Sequence, residues 1–175
     1  MKRTRTPAEL AAASAARKRG LFMAAVGLIV GLVMLGLSSN FLTMHCVMAA
    51  AVALAGGIAS ARAAIPHHRP SGRAGGVTGG LYAALAYALP FMVYNFINWL
   101  SVTEESAAMR MAQMTPEQLA AIREQNLVLG ADYFRGQDIS FLFGYLLFAL
   151  LFGWLFGALG AVLANRQLGQ NTPAR

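Results

Sequence analysis

Charged side chains are missing from most of this chain. Only 12% of its 175 residues are charged, whereas 57% are hydrophobic, a balance far from that of a soluble domain. No polar stretch is long enough to bury a hydrophobic core of its own. The composition therefore argues against an ordinary globular domain and predicts one membrane-embedded domain with short appendages.

Cysteine is nearly absent as well. The single cysteine, Cys46, excludes an intrachain disulfide and a cysteine-based metal site. No Ser-His-Asp, paired-carboxylate or phosphate-loop pattern stands where chemistry could use it. The basic residues also lack the interleaved aromatics of a nucleic-acid-binding surface. These absences predict a protein that is not an enzyme, binds no nucleic acid and carries no cofactor.

Long hydrophobic runs are what the chain does contain. The longest, 139–164, has 26 residues without a charge. At ~1.5 Å per residue it reaches ~39 Å, more than the ~30 Å of a hydrocarbon core. Four such runs predict an all-α fold, an integral membrane bundle of four transmembrane helices. We expect two antiparallel hairpins and a short extracytoplasmic helical arm. The predicted transmembrane helices are 21–37, 41–61, 77–100 and 139–164.

The polar segments alternate in charge. The N-terminal segment 1–20, the loop 62–76 and the tail 165–175 are basic, whereas the arm 101–138 holds six acids against three arginines. By the positive-inside rule, the basic segments are cytoplasmic and the arm lies outside. The pattern predicts a multi-pass protein of the bacterial inner (plasma) membrane with both termini cytoplasmic. Its basic residues would meet anionic headgroups of the lipid bilayer.

This charge pattern divides the chain into two hydrophobic regions. The first is the hairpin 21–61, whose turn is predicted at Ser38-Ser39-Asn40. The second, 77–164, holds the last two transmembrane helices with the arm between them.

Small residues recur at helical spacing within the runs. Such stripes let helix backbones approach closely in lipid, where water no longer drives helices together. Bulky Phe148, Phe152 and Phe156 form a second stripe on the last helix. The small residues predicted to pack helices are Gly27, Gly31, Gly76, Gly80, Ala84, Ala88, Ala149, Gly153, Gly157 and Ala161.

Several polar residues mark helix ends. Thr6-Pro7-Ala8-Glu9 and Thr115-Pro116-Glu117-Gln118 have the capping-box pattern, with proline at the first helical position. Thr103, followed by two glutamates, predicts another helix start. We expect a helix from Pro116 to Leu129 stopped by Gly130, and Asp138 as the cap of the last helix. The N-terminal helix could lie on the membrane surface or continue into the first span.

Three methionines of the arm, Met109, Met111 and Met114, could bind metal. Thioethers are soft ligands suited to copper(I), and Met44, His45, Cys46 and Met48 are predicted on the same side of the membrane. The alternative is that these methionines pack a surface helix, since flexible thioethers fill irregular gaps. We favour packing, because no cluster of histidine or cysteine accompanies them.

The only histidine within a predicted span is His45. An imidazole there could ligate the metal of a haem or chlorophyll. No second histidine lies inside the membrane to complete such a site, and a histidine at the headgroup level is the plainer interpretation. His67 and His68 lie in the basic loop, where solvent or lipid contact is the simplest expectation.

Asn95 and Asn98 lie beyond Pro90 in the third predicted span. A proline kink with intramembrane amides could line a polar path, as broken helices do in transporters. Tyr87 and Tyr94 would join it. The alternative is hydrogen bonding between helices, worth about 0.6 kcal/mol per pair. We favour that alternative, because no acid or base lies inside any span to couple to ions.

The second half of the chain, from about Gly75 to Arg166, resembles a bacterial family of small four-span inner-membrane proteins of unknown function. The resemblance rests on the glycine-rich stretch from Gly75 to Gly80, the arm stretch from Met114 to Leu119, and a glycine-spaced last span ending at Asn165-Arg166. It implies the four-span architecture and no catalytic residues.

Abundant packing surface without chemistry favours a non-enzymatic membrane protein. We expect an accessory or structural subunit of a larger bacterial inner-membrane complex, with other membrane protein subunits as partners. One alternative is a small permease or channel using the Pro90 kink with Asn95 and Asn98. A weaker alternative is a copper-handling membrane protein.

Overall fold

A computed structural model describes residues 6–37, 42–125 and 127–170 of the chain. Within those ranges the fold is all-α, as predicted, and contains no β-strand. The helices are α1 (Pro7–Gly36), α2 (Leu42–Ala64), α3 (Ser71–Ser101), α4 (Glu104–Ala112), α5 (Pro116–Glu124) and α6 (Ala131–Gln170).

Four of these helices, α1, α2, α3 and α6, are long and apolar enough to cross a membrane. All four begin or end beyond the hydrophobic runs predicted for them. Helix α6 is the extreme case, with 40 residues and a length of ~60 Å at ~1.5 Å per residue. The helices therefore extend past the apolar segments into the polar flanks.

The start of α1 follows from its capping box. The Thr6 hydroxyl accepts a hydrogen bond from the Glu9 backbone N–H at 3.3 Å, and the Glu9 carboxylate accepts one from the Thr6 N–H at 2.8 Å. The helix then continues without a break to Gly36. Of the two alternatives for the N-terminal helix, the structure shows the one that leads directly into the first apolar run.

The described residues form two compact units, the first within 1–90 and 146–175 and the second within 91–145. In the first unit, α1 and α2 run in opposite directions where they touch. A β-carbon built on Gly20 would lie 3.5 Å from Ser60 Oγ, and one on Gly27 would lie 3.3 Å from Val52 Cγ1. Early residues of α1 thus face late residues of α2.

Helices α3 and α6 approach each other through glycine. A β-carbon on Gly80 would lie 2.5 Å from the Gly157 Cα, and one on Gly76 would lie 2.5 Å from the Ala161 Cβ. Distances this short leave no room for any side chain. The absence of side chains at these positions is therefore what sets the spacing between the two helices.

The second unit has a core of its own. Buried Val102, Ala107, Ala131 and Phe134 form a cluster, and Met111, Met114, Leu129 and Tyr133 pack against it. The capping box predicted at Thr115 is present, with Gln118 as its partner. The helix start predicted at Thr103 is also observed, and Thr103 exchanges hydrogen bonds with Ser106 there. Helix α4 contributes Ala107 to the cluster, whereas α5 has no buried residue.

Two predicted boundaries are wrong. Asp138 does not cap the last helix, because α6 begins seven residues earlier, at Ala131. Gly130 does not stop α5, which ends at Glu124. Instead, the Gly130 carbonyl accepts a hydrogen bond from the Phe134 N–H at 3.3 Å, at the start of α6.

Other predictions concern the ends of the chain and its first turn. The predicted tail from Asn165 is helical as far as Gln170. The turn predicted at Ser38-Ser39-Asn40 and the start of the second span at Phe41 lie outside the described residues. Pro90 lies inside α3, which continues on both sides of it.

Candidate functional site

The residues predicted to pack helices are buried. Backbone atoms of α3 meet two of them: Gly27 lies against the Ala83 carbonyl, and Gly31 against the Tyr87 carbonyl. A β-carbon on Gly153 would lie 2.8 Å from the Leu81 Cα, and one on Gly157 would lie 2.8 Å from the Gly76 carbonyl oxygen. The alanines of the set are at most 1% exposed: Ala84, Ala88, Ala149 and Ala161.

Not every glycine in the structure is used in this way. A β-carbon built on Gly136 or Gly144 would meet nothing within 4 Å among the described residues. Both glycines lie on α6 in the second unit, four residues on either side of Ser140. The Ser140 hydroxyl donates to the Gly136 carbonyl at 2.7 Å, so its polar group is satisfied within the helix. We call Gly136, Ser140 and Gly144 the open α6 face.

Bulky apolar residues flank the open α6 face. Phe141 is 52% and Phe143 56% exposed. A groove of small residues between large apolar ones is the shape that a second transmembrane helix fills. The spacing of 136, 140 and 144 is visible in the sequence, although these residues are not among those predicted above to pack helices.

The sequence analysis also missed an ion pair in the second unit. Arg110 Nη1 donates to both carboxylate oxygens of Asp138, at 3.2 and 3.0 Å. Asp138 is only 5% exposed, and the guanidinium carbon of Arg110 lies 5.5 Å from the centroid of the Phe134 ring. The pair joins α4 to α6, a contact between residues too far apart in the chain for local spacing to reveal.

The arm methionines do not share one environment. Met111 and Met114 pack against the buried cluster of the second unit, whereas Met109 is 56% exposed. Among the residues that the structure describes, no group of three histidine, cysteine or acidic side chains is placed to hold a metal ion. The observed positions of Met111 and Met114 are those of packing residues.

His45 contacts a tyrosine of α3. Its Nδ1 lies 3.1 Å from the hydroxyl oxygen of Tyr87, and Tyr87 is almost fully buried. The imidazole of α2 therefore contacts a side chain of the neighbouring helix α3. Cys46, the next residue, has a free thiol of intermediate exposure.

Asn95 and Asn98 differ in exposure and in their bonds. Asn95 is buried, and its side-chain amide donates to the Phe91 carbonyl at 2.7 Å, one turn back in α3. Asn98 is half-buried, and its backbone carbonyl accepts from the Ser101 hydroxyl at 3.1 Å. Tyr94 is exposed. The Asn95 bond is internal to one helix, which differs from the hydrogen bond between helices that the sequence predicts.

Comparison of the chain with protein-family models, with characterised proteins and with solved structures found no match.

Proposed function

We propose that this chain is a non-enzymatic integral membrane protein, an accessory or structural subunit of a larger complex in the bacterial inner membrane. The observation that carries the proposal is the open α6 face. A β-carbon built on Gly76, Gly80, Gly153 or Gly157 would lie 3.0 Å or less from a backbone atom of a neighbouring helix, whereas one on Gly136 or Gly144 would meet nothing within 4 Å among the described residues. A helix from another subunit would use them in the way that α3 uses Gly153 and Gly157.

The energetics of helix association in lipid support this argument. Without a hydrophobic driving force between helices, packing contacts decide which helices associate. Glycine in a helix that packs against nothing gives up about 1 kcal/mol relative to alanine. A partner helix that buries Gly144 and Gly136 offsets that cost through close backbone contact.

The proposed orientation is the one that the charges favour. Arg17, Lys18 and Arg19, the loop 62–76 and both termini would face the cytoplasm, and the arm 101–138 would face outward. The opposed directions of α1 and α2 and of α3 and α6 support two antiparallel hairpins within this topology.

The test is co-purification of a partner subunit from gently solubilised membranes. We expect the wild-type chain to elute in a particle larger than the lone chain with a defined second protein. Gly144→Leu should release the chain from that particle, because it fills the groove at a position where a β-carbon meets nothing within 4 Å among the described residues. Gly36→Leu is the matched control and should leave the particle intact, because Gly36 lies on α1, away from the open α6 face, and a β-carbon there also meets nothing within 4 Å among the described residues.

Two results would contradict the proposal. One is a wild-type chain that runs as a monodisperse monomer with no companion. The other is a Gly144→Leu chain that stays in the particle as fully as Gly36→Leu does. The permease and copper hypotheses stay predictions from the sequence. Asn95 bonds within its own helix, and Met111 and Met114 pack against the buried cluster of the second unit, so these contacts favour neither hypothesis.

A further inference from the structure

A cationic groove runs between α1 and α2 in the first unit. It consists of two adjoining hollows of about 320 and 260 Å³, which share Arg19, Phe22 and Ala63 in their walls. Arg62 also lines the first hollow, and Lys18 also lines the second. Three cationic side chains thus line one open depression, which we call the α1/α2 groove.

The charges of this groove are not neutralised within the described chain. The first unit has one acidic residue in its sequence, Glu9, and among the described residues no carboxylate forms an ion pair with Lys18, Arg19 or Arg62. Arg62 instead donates to the neutral side-chain oxygen of Gln167. That bond orients the guanidinium but does not neutralise its charge, so Arg62 can still pair with an anion.

The rest of the groove is apolar. Phe22, Met23 and Ala59 line the first hollow beside the two arginines. Phe22 is exposed, and the guanidinium carbon of Arg19 lies 5.9 Å from the centroid of its ring. Cations beside an exposed apolar wall match an amphiphile, a molecule with an anionic head and a hydrocarbon tail.

We propose that the α1/α2 groove binds one anionic phospholipid, with its phosphate between Arg19 and Arg62 and an acyl chain along Phe22 and Met23. This inference rests on the proposed membrane location. Guanidinium groups suit the recognition, because each can donate two parallel hydrogen bonds to phosphate oxygens. The same cations would attract free inorganic phosphate, so the tail contact is what distinguishes a lipid from that ion.

A neighbouring cavity provides a control for charge alone. A larger hollow of about 490 Å³ between α1 and α3 is lined by Arg17, Ser71 and Thr78, but also by the Glu9 carboxylate. The negative charge of Glu9 opposes the binding of a phosphate there. Arg17→Gln therefore removes one positive charge, two residues from Arg19, without changing the α1/α2 groove.

The test measures lipid retained by the chain, purified in mild detergent, with native mass spectrometry after addition of phosphatidylglycerol or phosphatidylcholine. We expect one phosphatidylglycerol per wild-type chain and weaker retention of phosphatidylcholine. Arg19→Gln and Arg62→Gln should each weaken phosphatidylglycerol binding about five-fold, the equivalent of about 1 kcal/mol per cation near a membrane surface. Arg17→Gln should change phosphatidylglycerol binding by less than about two-fold, because a charge outside the groove is partly screened by salt.

A second variant tests the contribution of the acyl chain separately from that of the headgroup. Ala59→Leu keeps every charge but fills the hollow, so it should reduce lipid retention. Inorganic phosphate in millimolar excess should not displace the lipid from the wild type. Equal losses in Arg17→Gln and Arg19→Gln, or unchanged retention in Ala59→Leu together with displacement by inorganic phosphate, would overturn the proposal. The same spectra show whether a partner subunit co-purifies, so failure of the lipid site and failure of the subunit proposal are read independently.

Discussion

At the scale of single residues, the ion pair between Arg110 and Asp138 joins a partly exposed side chain of α4 to a buried carboxylate of α6. The Asp138 carboxylate is 7% exposed, whereas the Arg110 side chain is 30% exposed. A buried charge that loses its partner is penalised far more than one that can turn to solvent. The two partners should therefore respond unequally to substitution.

We expect Arg110→Gln to destabilise α4 by about 2 kcal/mol, because it leaves the Asp138 charge buried and unpaired. Asp138→Asn should cost less, since Arg110 can reach water. The measurement is hydrogen exchange of the α4 backbone amides, which reports local opening. Asp132→Asn is the control, because Asp132 and Arg135 form an exposed pair at 3.4 Å of a kind that contributes little. A larger effect from Asp138→Asn than from Arg110→Gln would contradict the assignment of the buried charge.

The glycines show which helix contacts can be predicted from the sequence and which cannot. The spacing of Gly76 and Gly80 predicts a packing face, because local sequence determines which residues share a side of a helix. It does not say which helix fills that face. Gly136 and Gly144, eight residues apart, also share one side of a helix, but a β-carbon on either would meet nothing within 4 Å among the described residues. The difference depends on tertiary neighbours that no single stretch of sequence contains.

At the scale of elements, α4 and α5 are both nine residues long but are held in different ways. Helices this short are marginal in water without other contacts. Helix α4 contributes Ala107 to the buried cluster and Arg110 to an ion pair. Helix α5 has no buried residue, so its end caps are a larger share of what stabilises it.

Thr115→Ala should therefore abolish most exchange protection of α5, since loss of an N-cap costs about 1 kcal/mol. Thr103→Ala removes the equivalent cap from α4 and should leave much of its protection, which the cluster and ion pair maintain. The comparison needs hydrogen exchange of both helices in the two variants. Similar fractional losses in α4 and α5 would contradict this account of how each is stabilised.

Acid should act on α5 in the same direction. The pKa of the Glu117 carboxyl is lowered below its ordinary value, first by a hydrogen bond from the Glu117 backbone N–H and second by one from the Thr115 side chain. A lowered pKa in the folded state stabilises the helix above the ordinary pKa of glutamate, and that contribution is lost as the pH falls through the lowered value. Protection of α5 should decline across that acidic range in the same exchange measurement.

Helix starts that depend on neighbours in the chain were predictable, and those that depend on tertiary contacts were not. Thr6, Thr103 and Thr115 bond to residues three positions ahead, so their patterns could be read directly. The start of α6 at Ala131 could not be predicted in this way, because the uncharged apolar run begins only at Ile139. Arg135 donates to the Val102 carbonyl at 2.9 Å, and this distant contact helps hold the polar first turns of α6.

At the scale of the whole molecule, the distribution of charge carries the membrane account. The chain has a net charge of +7, yet the arm 101–138 is net negative because its six acids outnumber its three arginines. Four helices long and apolar enough to cross a membrane separate these polar segments. From the positive-inside rule we expect the arm and the loop 62–76 on opposite sides of the membrane.

The most direct test of this account is the sidedness of two exposed positions. In a Cys46→Ser background, Gln113→Cys and Arg69→Cys each place one thiol on a polar segment, in the arm and in the loop 62–76 respectively. A membrane-impermeant thiol reagent applied to intact spheroplasts should label the Gln113→Cys chain at once, and the Arg69→Cys chain only after the membrane is opened. Labelling of both positions from the same side would contradict the four-span topology.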